Sequence, residues 1–139
     1  MASLVIAHAD WLVTVDAQRR IFRDGALAIE SDQIIAVGKT DEILAAHQAD
    51  RVIDAKGKLV LPGLINAHAH NTQQLARGLA NDCYIQEWLY GRVYPFEDTL
   101  SSQEALLSSL LCQLEMIRSG TTCFVDPGNH FPDEVARAV

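Results

Sequence analysis

The stretch Leu59-Val60-Leu61-Pro62-Gly63-Leu64-Ile65-Asn66-Ala67-His68-Ala69-His70-Asn71 constrains the fold more than any other part of the sequence. An apolar run of strand length is interrupted by Pro62-Gly63 and ends in two histidines one residue apart. Alternate side chains of an extended backbone share a face. His68 and His70 therefore project together, and two neutral imidazoles so placed can bind one divalent metal ion. Asn71-Thr72-Gln73-Gln74 follows as the polar start of a helix-like segment. Strand, paired ligands and loop form the pattern expected at the carboxyl end of a strand in a (β/α) barrel, where such folds keep their chemistry. Without that context the same H-x-H reads as an ordinary polar strand end.

The chain has 139 residues, while a complete (β/α) barrel takes about 250. It is therefore expected to be the amino-terminal part of a longer protein. Eleven basic against 18 acidic residues leave a net charge of −7, which disfavours nucleic acid and anionic membrane as partners. A content of 49% hydrophobic and 21% charged residues suits a buried globular chain rather than disorder. No run is long and apolar enough to span a bilayer, and the first ten residues lack a basic leader. Cys83, Cys112 and Cys123 are odd in number and widely spaced, suggesting neither a disulfide framework nor a C-x-x-C metal site. A reducing cytoplasm fits best.

Up to about Leu61 the pattern is short strands with polar turns. Leu4-Val5-Ile6, Trp11 to Val15, Ala26 to Glu30, Ile34 to Val37, Arg51 to Asp54 and Lys58 to Val60 are β-prone, with Arg23-Asp24-Gly25 read as a turn. A short helix is expected from Thr40 to His47, with Thr40 as its cap. His8 and His47 have no metal-type spacing and read as structural or exposed. Beyond His70 a helical segment should run towards Gly78, and a second from Ile85 to Tyr90, with Pro95 breaking the run. The clearest helix is Ser102 to Ser119. Ser101 and Glu104 form a capping box, Gly120 is a natural stop, and Leu106, Leu107, Leu110, Leu111, Leu114, Met116 and Ile117 follow helical spacing. Thr121 to Asp126 then reads as a strand, and residues 131–139 start another helix. Strand, helix, strand, helix implies parallel strands joined by crossovers.

Residues 62–70 resemble the first-strand signature of the amidohydrolase superfamily, metal-dependent (β/α)-barrel hydrolases. The similarity continues through Leu75 to Asp82, Glu87-Trp88-Leu89, Tyr94 to Asp98 and Glu115 to Thr122. That longer set is similar to the branch containing methylthioadenosine/S-adenosylhomocysteine deaminases and triazine chlorohydrolases. The resemblance implies an α/β fold: a small β-sandwich or half-barrel over residues 1–61, matching the flanking β-domain of that family, then the first two β/α units of a (β/α)8 TIM-type barrel over residues 62–139.

It also implies a site. His68 and His70 would be a partial ligand set for one divalent metal, zinc or iron, with further histidines, an aspartate and an acid/base glutamate supplied after Val139. Glu97 lies in a segment similar to the one whose glutamate binds ribose hydroxyls in the nucleoside deaminases, and Trp88 matches a tryptophan that lines the pocket. Against these stand an ordinary solvated acid beside Asp98 and plain core packing. Asp126 and His130, near the end of the second barrel strand, are candidates for supporting or substrate-contact roles, or else turn residues. The implied reaction is hydrolytic deamination of an adenine nucleoside, a small-molecule substrate, by an enzyme compatible with homo-oligomer formation. The alternatives are a triazine-type chlorohydrolase or aminohydrolase and a non-catalytic module.

Overall fold

A computed structural model describes residues 2–139, and the chain divides into two compact units, one reaching to Pro62 and the other spanning Gly63–Val139. In the first, β1 (Ala2–Val13) lies inside a five-stranded sheet with β2 (Ile21–Glu30), β3 (Gln33–Lys39), β4 (Ala49–Asp54) and β5 (Leu59–Val60). β1 pairs antiparallel with β2 and parallel with both β4 and β5, while β2 and β3 form an antiparallel hairpin. The strand order is β3-β2-β1-β4, with β5 also pairing with β1. Val5, Ala7, Ala9 and Leu12 bury themselves along β1. They join two apolar clusters, one with Ala26, Ala28 and Ile43, the other with Leu27 and Ala55.

Two expectations fail here for one reason. The two segments expected around Val5 and Leu12 are one strand, and Arg23-Asp24-Gly25 lies inside β2 rather than in a turn. The β1–β2 register shifts between Ile6 and Ala9, where His8 has φ 59° and Asp24 φ 48°. Such an irregularity takes a backbone group off the ladder, and that group needs another partner. Thr40 provides it: the His8 N–H donates to Thr40 Oγ1 at 3.0 Å, and that hydroxyl donates to the Asp24 carbonyl at 2.9 Å. Thr40 therefore does not cap α1 (Thr40–Ala46), whose N-cap is Lys39 with no side-chain cap.

The second unit holds β6 (Leu64–Asn66) and β7 (Thr121–Phe124), paired in parallel, with α2 (Tyr94–Thr99) and α3 (Ser102–Ser119) between them and α4 (Pro132–Ala138) after. Gly63 permits the approach of these strands: a Cβ there would overlap the Thr122 side chain. α3 begins with the expected capping box, Ser101 Oγ accepting from the Glu104 N–H and the Glu104 carboxylate accepting from the Ser101 N–H. It ends at Gly120 in the left-handed region, φ 80°.

Three local readings differ. The segment after His70 is a 3-10 turn, Asn71–Ala76, rather than an α-helix towards Gly78. Pro95 does not end the helix expected before it. Residues Glu87–Val93 are π-helical and lead into α2, with Pro95 in its first turn. A proline lacks the N–H that a helix interior uses, and the missing donor costs little where a new hydrogen-bonding register begins. Finally, α3 buries Ala105, Ser108, Ser109, Cys112 and Met116, leaving Leu107, Leu110, Leu111, Leu114 and Ile117 exposed. Small residues let the 3-10 turn come close, so within this chain the helix packs through its small-residue face.

Candidate functional site

Backbone pairing carries β6 past its last regular residue and delivers the histidines. The Val125 N–H donates to the Asn66 carbonyl at 2.9 Å, and the Ala69 N–H to the Val125 carbonyl at 3.0 Å. His68 and His70, on either side of that second bond, place their rings 5.0 Å apart at 77°. His68 is exposed and its N–H is held by Asn66 Oδ1 at 3.2 Å. His70 is half-buried, and its Nδ1 is buried with no hydrogen-bond partner. A buried ring nitrogen without a partner is costly, and a cation taken up by the imidazole lone pair would remove that cost. The donor set fits part of a metal site. Among the described residues, no group of three or more His, Cys, Asp or Glu side chains is arranged to hold a metal ion.

The pair opens onto a recess of about 390 Å³ lined by both histidines, Gln73, Gln74, Leu79, Trp88 and neighbouring residues. Trp88 thus comes to the histidines from the π-helical turn. Glu97, on α2, is not in that lining; its Oε1 accepts from Gln73 Nε2 at 2.8 Å, and Gln73 is. The 3-10 turn is in turn tied to α3, where Arg77 forms a two-pronged ion pair with Glu115 at 2.7 and 2.8 Å. A larger groove of about 690 Å³, with Asp10, Trp11, Arg23, Asp24 and Lys56 in its wall, belongs to the sheet unit and holds neither His68 nor His70. There His8 Nδ1 lies 3.3 Å from Asp24 Oδ1 and Arg23 stacks over Trp11; His8 is exposed.

Asp126 is placed differently from His130. His130 is exposed and lies outside the recess lining. The Asp126 carboxylate accepts from the Asn71 side chain at 2.8 Å, from the Asn71 N–H at 3.2 Å and from the Gly128 N–H at 2.9 Å. Burial pushes this carboxyl up, but hydrogen bonds donated by Asn71, Gly128 and Asn129 outweigh it and hold the group below the usual carboxylate range. Asn71 itself, together with Gln73 and Gln113, was not singled out by spacing. The signal in the sequence was the polar run directly after His70, with no apolar period to explain it.

The sequence pattern of the Amidohydrolase family matches residues 59–139. Over 137 residues the chain is 41% identical to a 5-methylthioadenosine/S-adenosylhomocysteine deaminase of Acetivibrio thermocellus, covering 99% of this chain and 31% of that one. In structure it is similar to an adenosine deaminase of Xanthomonas campestris with bound zinc, with a TM-score of 0.89 and 29% identity over 99% of this chain and 31% of the other. An atrazine chlorohydrolase of Arthrobacter aurescens complexed with zinc gives a TM-score of 0.82 and 26% identity, over 97% and 32%. The chain thus spans about a third of the length of the relatives it matches. No helix among the described residues is long and apolar enough to cross a membrane.

Proposed function

The chain belongs to the amidohydrolase family, and from that premise we propose that it forms the amino-terminal part of a metal-dependent aminohydrolase acting on an adenine nucleoside such as methylthioadenosine or S-adenosylhomocysteine. In this reading residues 62–139 are the first two β/α units of its barrel and the five-stranded sheet is its flanking β-domain. The reaction replaces the amino group on the purine ring by oxygen, consuming water and releasing ammonia. The observation that carries the reading is the convergence of His68, His70 and Trp88 on one recess.

His68 and His70 would hold one divalent ion, and the buried, unpartnered Nδ1 of His70 supports that role. We assign zinc, which the similar adenosine deaminase and chlorohydrolase structures contain; imidazole also suits iron. Such an ion, when bound, supplies an activated water at neutral pH and polarises the bond under attack. Trp88 offers a flat apolar ring to the planar base. Gln73 fixes Glu97 through one carboxylate oxygen at 2.8 Å. The other oxygen and the remaining lone pairs are left to accept ribose hydroxyls. The free cysteines Cys83, Cys112 and Cys123 fit a reducing cytoplasm.

The triazine reading shares the fold and the metal pair, but in structure the chain matches the adenosine deaminase better than the chlorohydrolase, with TM-scores of 0.89 and 0.82 and identities of 29% and 26%. Glu97 separates the two, since a triazine has no ribose for it to bind. In the full-length protein, His68→Ala and His70→Ala should each lose bound metal and turnover together; full occupancy with normal rates would overturn the assignment. Glu97→Ala should retain metal and raise KM for nucleosides, and an unchanged KM would reject the ribose role.

A further inference from the structure

Asn71 follows His70 directly and is fully buried. Every polar atom it owns is engaged. Its N–H and its side-chain amide both donate to Asp126 Oδ2, at 3.2 and 2.8 Å, and that amide also donates to the Ala69 carbonyl at 3.3 Å. Its Oδ1 accepts from Gln113 Nε2 at 2.8 Å, and its carbonyl accepts from Ser108 Oγ at 3.3 Å. One residue therefore ties the end of β6 to the end of β7, through Asp126, and to α3, through Ser108 and Gln113. The neighbouring His70 is the opposite case, since nothing in the fold grips its Nδ1. A ligand ring is ordinarily oriented by a hydrogen bond to its second nitrogen. Nδ1 is the nitrogen open to the metal, and among the described residues no hydrogen bond holds the other ring nitrogen, so the position of the ring rests on the backbone that carries it, and that backbone is fixed one residue later.

We infer that Asn71 is the positioning residue of the metal pair, holding the chain that carries His68 and His70 by its clamp on Asp126 and Gln113. This rests on the proposed metal role of the two histidines. The clamp touches neither substrate nor metal. It acts by limiting where the imidazoles can stand, and its removal should appear first as weaker metal binding.

The test uses the full-length protein and zinc alone, with affinity read by chelator competition and the fold of the metal-free protein read by thermal unfolding. Asn71→Asp sets two carboxylates against each other and should weaken zinc binding ~10–100-fold, the range for outer partners of metal ligands. Adding Asp126→Asn removes the repulsion between the two carboxylates and remakes one carboxylate–amide bond, though not those of the Asn71 N–H and the Ala69 carbonyl, so the double variant should recover part of the lost zinc affinity. Gln113→Met, a helix-compatible change that removes only the donor to Asn71 Oδ1, should weaken zinc binding ~10-fold and serves if Asn71→Asp does not fold. Parent-like zinc affinity in a folded Asn71→Asp or Gln113→Met protein overturns the inference, as does a double variant that folds without recovery. His68→Ala separates the two levels of the argument. If it leaves zinc affinity unchanged, the metal assignment itself fails; if it abolishes binding while the Asn71 variants bind normally, only the clamp fails.

Discussion

In the unit that ends at Pro62 the interior is built from Ala2, Val5, Ala7, Leu12, Ala26 and Ile43, whereas the fully buried side chains of the unit from Gly63 onward include Asn71, Thr72, Ser108 and Ser109. Both units leave large apolar residues exposed, Ile34 and Val52 in the first and Ile65, Leu107 and Ile117 in the second, so the difference lies inside. Apolar burial is non-directional and depends mainly on area removed from water. A buried polar network must be satisfied in one geometry and is costly in any other. The sheet is thus specified by packing, and the neighbourhood of the histidines by hydrogen bonds that fix positions. Two rings standing 5.0 Å apart are fixed more closely by the second kind of interior.

That contrast can be broken or sharpened by experiment, because each unit carries one of the two tryptophans, Trp11 and Trp88. Single-tryptophan proteins, made with Trp88→Phe or Trp11→Phe, then report on one unit at a time. The largest effect is expected from Gly63→Ala. The new Cβ collides with Thr122, and the overpacking should cost about 3 kcal/mol in the Trp88 transition. An unmoved Trp88 midpoint would deny the close approach of β6 and β7. Val5→Ala should cost about 2 kcal/mol in the Trp11 transition through lost burial. Equal movement of both signals would show that the two interiors unfold as one and would break the contrast.

Acid should give the smallest effect. Asp126 is held below its ordinary value of 3.8, so its stabilisation is present at neutral pH, fades as pH falls below that value and is gone below the folded pKa. Glu104 and Glu115 in the same unit are also depressed, by hydrogen bonds from Ser101 and Arg77 respectively, while in the sheet unit half-buried Asp16 is depressed, its burial opposed and outweighed by hydrogen bonds from Arg20 and Thr14. The Trp88 signal should therefore weaken at higher pH than the Trp11 signal, and Asp126→Asn should narrow the gap. A Trp11 transition that comes first would reverse the assignment.

The parts of this molecule that were legible in the sequence are those whose signals are local. Ser101 with Glu104, then Gly120, marked both ends of α3, and the H-x-H spacing placed His68 and His70 side by side. The parts that were not legible depend on partners far along the chain. Thr40 reads as a cap until the irregularity at His8 claims its hydroxyl. Asn71 reads as the polar start of a helix-like segment until Asp126 and Gln113 arrive beside it. The leucines of α3 suggest a buried face by their period, yet the small residues opposite are what this chain packs. Periodicity reports that a face is apolar; it does not report which neighbour meets it first.

The pairing of β6 with β7 has a consequence for biosynthesis. The sheet unit is complete in its own core once β5 has emerged, so it can close early as the ribosome moves on. Leu64 has to wait for Thr121, with four helical segments made in between. Until then the edge of β6 stands unpaired, the kind of surface that aggregates or engages chaperones. The nascent chain is therefore most exposed to misassembly in the interval when His68, His70 and Asn71 already exist but Gln113 and Asp126 do not.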